Sequence, residues 1–356
     1  MNTLSNRKQC LTLLKQVVLV APFAAPLLAM ASPGSDAIRT LAQDDWVQRS
    51  VSLADMGITN PVVLQETDNH QSFFLPVPKG VALDAASINI LGNFIKGEEA
   101  AAALRLSVDS RPLYARPITE SEGDLARVLP VEARRHESGF VDFTIDWSSP
   151  TGQTLCEPTR QSSNILTLSP DTALTYRYSM QGLHTLADAW STLPGKPVIL
   201  IAAGKLEQQS FDSAWRLGVA LERNAKRAQV RAFPSVGETV AVDGLKIPTA
   251  LTSVAPFSAL AGKTQHKVAS AAELGALLVL DASATRADLA IADTALVGQI
   301  NAALDALQDQ LKNDEDAVKA VQEWRSRHAS AAQKVPGSQQ IQLVSLGHQA
   351  VIAVAP

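Results

Sequence analysis

Between residues 45 and 182 apolar and polar positions alternate in short runs. In ALRLSVDS (103–110) the apolar set is Leu104, Leu106 and Val108; in GFVDFTIDW (139–147) Phe140 or Val141 opens a set continued by Phe143, Ile145 and Trp147. SFFLPVP (72–78), ASINILGN (86–93), ARVLPVEA (126–133) and NILTLSPDTALTYRYS (164–179) behave alike, and Pro, Gly, Asp or Asn separates the runs. A period of two turns one face of a strand inward and the other outward. Several such strands in succession predict a β-sandwich over 45–182.

The pattern changes after LADAWSTLPGK (186–196). KPVILIAAG (196–204) is an almost continuous apolar run, as in a parallel strand covered on both faces. A helical stripe follows at Phe211, Trp215, Leu217, Val219 and Leu221, with Ser210 as its cap, and then a second strand at 228–234. Trp215 is expected to seal the helix against the sheet, and Trp190 to seal the contact between the two parts. A hairpin around Asp243–Gly244, a buried strand at 273–281, a helical stretch over 285–334 interrupted at LKNDEDAV, and two strands joined by Gly347–His348 complete the reading. Residues 190–356 are therefore expected to form an α/β domain.

The first 31 residues stand apart. Arg7, Lys8 and Lys15 precede the apolar run VVLVAPFAAPLLAMA, and Ala29 and Ala31 are small residues ahead of Ser32, the features of a cleaved export signal. Pro22 and Pro26 and the short run argue against a membrane-spanning helix. Without that segment the chain carries 28 basic and 35 acidic side chains and a single cysteine, Cys156. The acidic balance excludes a nucleic-acid partner, which requires a concentrated positive face. One cysteine forms no disulfide within the chain, although pairing between chains and other self-association stay open.

Five segments carry a family resemblance: VSLADMGI (51–58), FFLPVPKGVALDAASINIL (73–91), LRLSVDSRPLYARPI (104–118), the strand at 140–147 and CEPTRQSSNILTLSPDT (156–172). In this order the chain resembles the amino-terminal half of the periplasmic regulatory (B) subunit of bacterial cellulose synthase. The resemblance implies a jelly-roll-like, carbohydrate-binding-like sandwich followed by a flavodoxin-like α/β domain. It implies a non-catalytic subunit at the periplasmic side of the inner membrane, held there by a partner or by a segment beyond residue 356. Its partners would be the membrane-embedded cellulose synthase catalytic subunit and the emerging β-glucan. Regulation of that complex by cyclic di-GMP would belong to the cytoplasmic partner.

No chemistry-bearing motif competes. GKLEQQS after the first α/β strand lacks the glycine spacing of a nucleotide loop, so no cofactor is expected. His70, His136, His184, His266, His328 and His348 show no metal-ligand spacing, and no GxSxG elbow marks a catalytic serine. Asp142 and Asp146 share a strand face but lie about 13 Å apart, too far for a glycosidase pair without a second strand's acid. For a sugar ligand the candidates are Trp147, Tyr114, Asp146, Asn93 and Arg160: rings to pack on pyranose faces, polar groups for the hydroxyls. Trp147 also fits the core face with Phe143 and Ile145, and Tyr114 also fits an ordinary turn after Pro112. A secreted glycan-active enzyme, or a glycan-binding or adhesion module, is the alternative reading.

Overall fold

A computed structural model describes residues 32–43, 46–65, 68–97, 101–149, 164–183, 186–224, 226–243, 245–280, 289–291, 294–328, 332–334, 341–346 and 349–354. The expected signal segment, Cys156, Arg160 and the Gly347–His348 turn lie outside the described residues.

A first helix, α1 (Pro33–Gln43), leads into β1 (Trp46–Ser52), β2 (Val62–Leu64), β3 (Asp68–Pro76), β4 (Asp84–Ile95) and β5 (Ala102–Val108). These are followed by β6 (Arg111–Ile118), β7 (Glu122–Pro130), β8 (Phe140–Ser148), β9 (Ile165–Leu168) and β10 (Ala173–Ser179). They form two open antiparallel sheets, one in the order β1-β10-β4-β9-β2 with β7 also on β4, the other in the order β3-β8-β5-β6.

The long strand β4 organises the first sheet by changing partners. Its first half pairs with β10 and its second half with β9, while β7 follows the opposite side from Ser87 to Ile95. Leu91 falls between the two partners, so its backbone needs other bonds. The buried Thr172 hydroxyl accepts from the Leu91 N–H at 3.1 Å and lies 3.2 Å from the Leu91 carbonyl, which the Ser169 N–H also reaches at 2.7 Å. At Gly92 a Cβ would stand 2.4 Å from the Thr167 carbonyl oxygen, so only glycine lets β9 approach there.

The inward faces of both sheets share one apolar core, with Ile88, Ile90 and Phe94 from β4 and Leu104, Leu106, Phe143, Ile145 and Trp147 from β5 and β8. The sandwich expected from the alternation, jelly-roll-like as the resemblance implies, is nevertheless corrected to two open sheets. Alternation reports which face of each strand is covered, not how sheets join, and no ladder links the two sheets among the described residues.

The rest of the chain supplies α2 (Leu186–Ser191), β11 (Val198–Ile201), α3 (Gln208–Glu222), β12 (Gln229–Ala232), β13 (Thr239–Ala241) and β14 (Gln265–Lys267). It continues with α4 (Ala271–Leu280), β15 (Leu289–Ile291), α5 (Thr294–Gln310), α6 (Glu315–His328), β16 (Ala332–Lys334), β17 (Ile341–Leu346) and β18 (Gln349–Val354). Its sheet has the order β12-β11-β15-β18-β17-β16. Strands β12, β11, β15 and β18 run parallel, whereas β17 and β16 are antiparallel. The flavodoxin-like expectation, an all-parallel sheet, is thus corrected as well. Leu346 pairs with Gln349, and a connection that short joins only antiparallel strands.

Three local expectations also change. Residues 273–281 read as a strand, yet 271–280 form α4, in which every residue from Ala272 to Leu280 is buried. Gly275 makes this possible: a Cβ there would lie 2.4 Å from the Ala303 carbonyl oxygen of α5. Gly244 of the expected Asp243–Gly244 hairpin lies outside the described residues, and β13 pairs instead with the distant β14, Thr239 opposite Lys267. Helix α3 begins at Gln208, which places Ser210 inside it, and Trp215 is 67% exposed rather than packed on the sheet. The interrupted stripe allows two helices or one long bent helix, and two form, with the break at 311–314.

Candidate ligand-binding face

Register fixes which residues share the outward face of the β3-β8-β5-β6 sheet. Phe74 stands opposite Asp142; Ser72 opposite Thr144, with Ser107 beyond it; His70 opposite Asp146, followed by Arg105 and then Ala115. The intervening Phe73, Leu75, Val141, Phe143, Ile145 and Trp147 are buried.

Asp146 holds the centre of the polar row. Its Oδ1 lies 2.6 Å from His70 Nδ1, and its Oδ2 accepts from Arg105 Nε–H at 2.8 Å. His70 Nε2 is 3.4 Å from Ser72 Oγ, which in turn lies 3.1 Å from Thr144 Oγ1, so the polar chain extends along the strands. Partial desolvation pushes the Asp146 carboxyl up, but the bonds from Arg105 and His70 outweigh it and hold the group below the usual carboxylate range. The same bond raises the Arg105 guanidinium. Beside this row lies an open cleft of about 620 Å³. Its lining includes Ala103, Ala115 and Ser148, whose small side chains leave room next to the charged groups.

The other end of the face carries two rings. Phe74 and Phe140 are 57% and 44% exposed, although their strand neighbours are core. Phe74 faces Asp142 and Phe140 faces Pro76, making the rings diagonal neighbours, roughly 7–8 Å apart between backbones. From Phe74 to His70 is four strand residues, about 13 Å. One sheet face thus offers apolar ring surface at one end and a bonded carboxylate, guanidinium and imidazole at the other.

The five candidates from the sequence do not gather at one place. Asp146 lies on this face and lines the cleft. Trp147 also lines it but is fully buried, and its indole N–H has no hydrogen-bond partner among the described residues. Tyr114 is half-buried on β6, opposite the core residue Leu106, with the Arg127 guanidinium 5.4 Å from its ring centre. Asn93 is exposed on the first sheet, between Asp124 and Thr167. Arg160 lies outside the described residues. His70, Arg105, Phe74 and Phe140 were not among the candidates. Phe74 had a signal, since it is a large ring on the polar parity of SFFLPVP, out of phase with Phe73 and Leu75.

No family model matches the chain, and no curated protein matches it. Among solved structures it has a weak, low-identity resemblance to carbohydrate-binding module folds. One is the CBM36-1 domain of a multidomain xylanase from the hindgut metagenome of Trinervitermes trinervoides, at 8% identity over 36% of this chain and 96% of that one, TM-score 0.21. Another is TmCBM61 in complex with β-1,4-galactotriose, at 11% identity over 38% and 88%, TM-score 0.17. The VP2 subviral particle of infectious bursal disease virus scores alike, at 9% identity over 38% of each chain and TM-score 0.20. Likeness at this level extends equally to sugar-binding and capsid proteins, and it assigns no function.

Proposed function

We propose that the protein is a non-catalytic glycan-binding module whose ligand lies along the outward face of the β3-β8-β5-β6 sheet. The observation that carries this reading is the pairing, on one face, of the exposed Phe74 and Phe140 rings with Asp146 held between Arg105 and His70. Rings cover the C–H faces of a pyranose, and oriented donors and acceptors take its hydroxyls. Asp146 serves as an acceptor bonded to Arg105 and His70; no second acid sits opposite it in the ladder, where those two are its partners. An open face buries little of its ligand, so affinity is weak, on the order of millimolar to tens of micromolar. Within this reading the sequence resemblance supplies a narrower one: an exported subunit that passes β-glucan from a membrane-embedded cellulose synthase.

Calorimetric titration with soluble β-linked gluco- and xylo-oligosaccharides tests the module reading. The expected result is saturable heat that falls at least about fivefold in affinity in Asp146→Ala and in Phe74→Ala, each costing about 1 kcal/mol of binding. Absence of binding to every neutral glycan, or wild-type affinity in both variants, would sink it. Co-purification with the synthase catalytic subunit tests the narrower reading separately.

A further inference from the structure

Two helix N-termini meet at Ser32. Its Oγ accepts from the Ser35 N–H at 3.1 Å, and its carbonyl accepts from the Asp36 N–H at 3.1 Å and the Ser35 hydroxyl at 2.8 Å, which caps α1. Asp314 caps α6 in the same way: its Oδ1 accepts from the Ala317 N–H at 3.0 Å and its carbonyl from the Val318 N–H at 3.0 Å. The two caps are bonded to each other, the Ser32 hydroxyl donating to Asp314 Oδ2 at 2.5 Å across 282 residues of chain. Ser32 is also where the compact unit of the chain begins, and it is the residue that follows Ala29 and Ala31 in the expected export signal.

In an uncut chain the Ser32 nitrogen is a neutral amide. Hydrolysis of the Ala31–Ser32 bond by a signal peptidase adds water across that amide. The hydroxyl stays with Ala31 as a carboxylate after losing its proton, and the nitrogen leaves as an amine that gains one. Covalent geometry keeps this nitrogen within about 3–4 Å of Ser32 Oγ, and so within reach of the Asp314 carboxylate. We propose that the Ser32 α-ammonium released by this cut pairs with Asp314 and fastens α1 to α6, making processing the last step in building the contact between the two helices.

Two helix N-termini disfavour a cation, so the local acids decide the sign. From α1 comes Asp36; from α6 and its cap come Asp314, Glu315 and Asp316. Among the described residues Arg39 is the one cation bonded there, to Asp36 at 3.3 Å, to Glu323 at 3.5 Å and to Asp316 at 3.9 Å. Beside Gly34 stand the apolar Leu251, from the short turn Thr249–Leu251 packed against α1, and Val254 just after it, and the Glu273 carboxylate of the neighbouring α4 is engaged by His266 at 2.7 Å. The acids outnumber the cation. The Ser32 hydroxyl already holds the Asp314 carboxyl low, in the ionised form the pair requires.

The test uses protein recovered after export. Intact mass and N-terminal sequencing are expected to give Ser32 as the first residue. NMR titration of its α-amine should then show a pKa about one unit above the ordinary value near 8, returning to that value in Asp314→Asn. A purely structural cap would lower stability in Asp314→Asn and leave the amine unshifted. Should Asp314→Asn fail to fold, Ser32→Ala decides, because it deletes the hydroxyl bond and keeps both charges, so the raised value persists. A first residue other than Ser32, or an amine that titrates at the ordinary value in the processed wild type, overturns the proposal.

Discussion

Strand β8 and helix α4 both run through apolar interior, and they record it in the sequence in opposite ways. In β8 Val141, Phe143, Ile145 and Trp147 are buried on one parity; on the other Phe140, Asp142, Asp146 and Ser148 are not, and only the small Thr144 is. In α4 nine consecutive residues are buried. An element covered on one side writes the period of its backbone into the chain; one covered all round writes only an apolar run, which fits strand and helix equally. That is why 139–147 reads as a strand and 140–147 is one, whereas 273–281 reads as a strand and 273–280 is helix.

The sharpest test of this contrast sets neighbouring rings of the β3–β8 pair against each other. Phe143 is fully buried and stacks on Phe73 with ring centres 6.0 Å apart, whereas Phe74, one residue along, is 57% exposed. Phe143→Ala should cost about 3–5 kcal/mol of unfolding free energy. Phe74→Ala should stay within about 0.5 kcal/mol while weakening glycan binding. Urea unfolding of both variants measures the difference; comparable losses would mean that parity does not separate core from binding face.

The helical side is tested with glycines. Gly275 and Gly298 both sit inside helices, where alanine is intrinsically favoured by about 0.5–1 kcal/mol. Nothing lies within 4 Å of a Cβ placed at Gly298, whereas one at Gly275 meets the Ala303 carbonyl oxygen at 2.4 Å and Leu307 Cβ at 2.8 Å. A backbone clash exceeds the propensity gain. Gly275→Ala should therefore destabilise by about 1–3 kcal/mol, and Gly298→Ala should raise the melting temperature slightly. The same sign for both would remove the claim that α4 and α5 touch backbone to backbone at Gly275.

These contrasts also mark what the sequence could convey. The parity of 103–110 and 139–147 identified Leu104, Leu106, Phe143 and Ile145 as core and turned Asp146 outward, because each strand has one wet face. The partners of Asp146 were not legible: His70 and Arg105 lie 76 and 41 residues away and reach it only through the register of β3 and β5 on β8. Sheet order and the antiparallel end of the mixed sheet were hidden for the same reason, since local periodicity carries no information about neighbours. The partner change along β4 is another non-local feature, and it has its own test. Thr172→Val deletes the hydroxyl that serves Leu91, leaving its half-buried N–H without that acceptor, and should cost about 1 kcal/mol, measured by chemical unfolding. A neutral result would mean that the Leu91 backbone finds another partner.

The smallest expected effect belongs to the binding face and is a matter of sign. The folded Asp146 carboxyl is held below its ordinary range, so its contribution to stability is complete above the unfolded value near 4 and is lost as pH falls through the folded value. The stability difference between wild type and Asp146→Asn should therefore be present above about pH 5 and shrink towards zero in more acidic solution. Because Arg105 and His70 are largely exposed, the difference should also shrink with added salt at neutral pH. Glycan affinity should follow the same acid limb, since protonation removes the acceptor and frees Arg105 and His70 from their fixed positions. If affinity instead rose as pH fell, the ligand would be meeting Arg105 and His70 as cations with Asp146 as their competitor, and an acidic sugar would fit the face better than a neutral one.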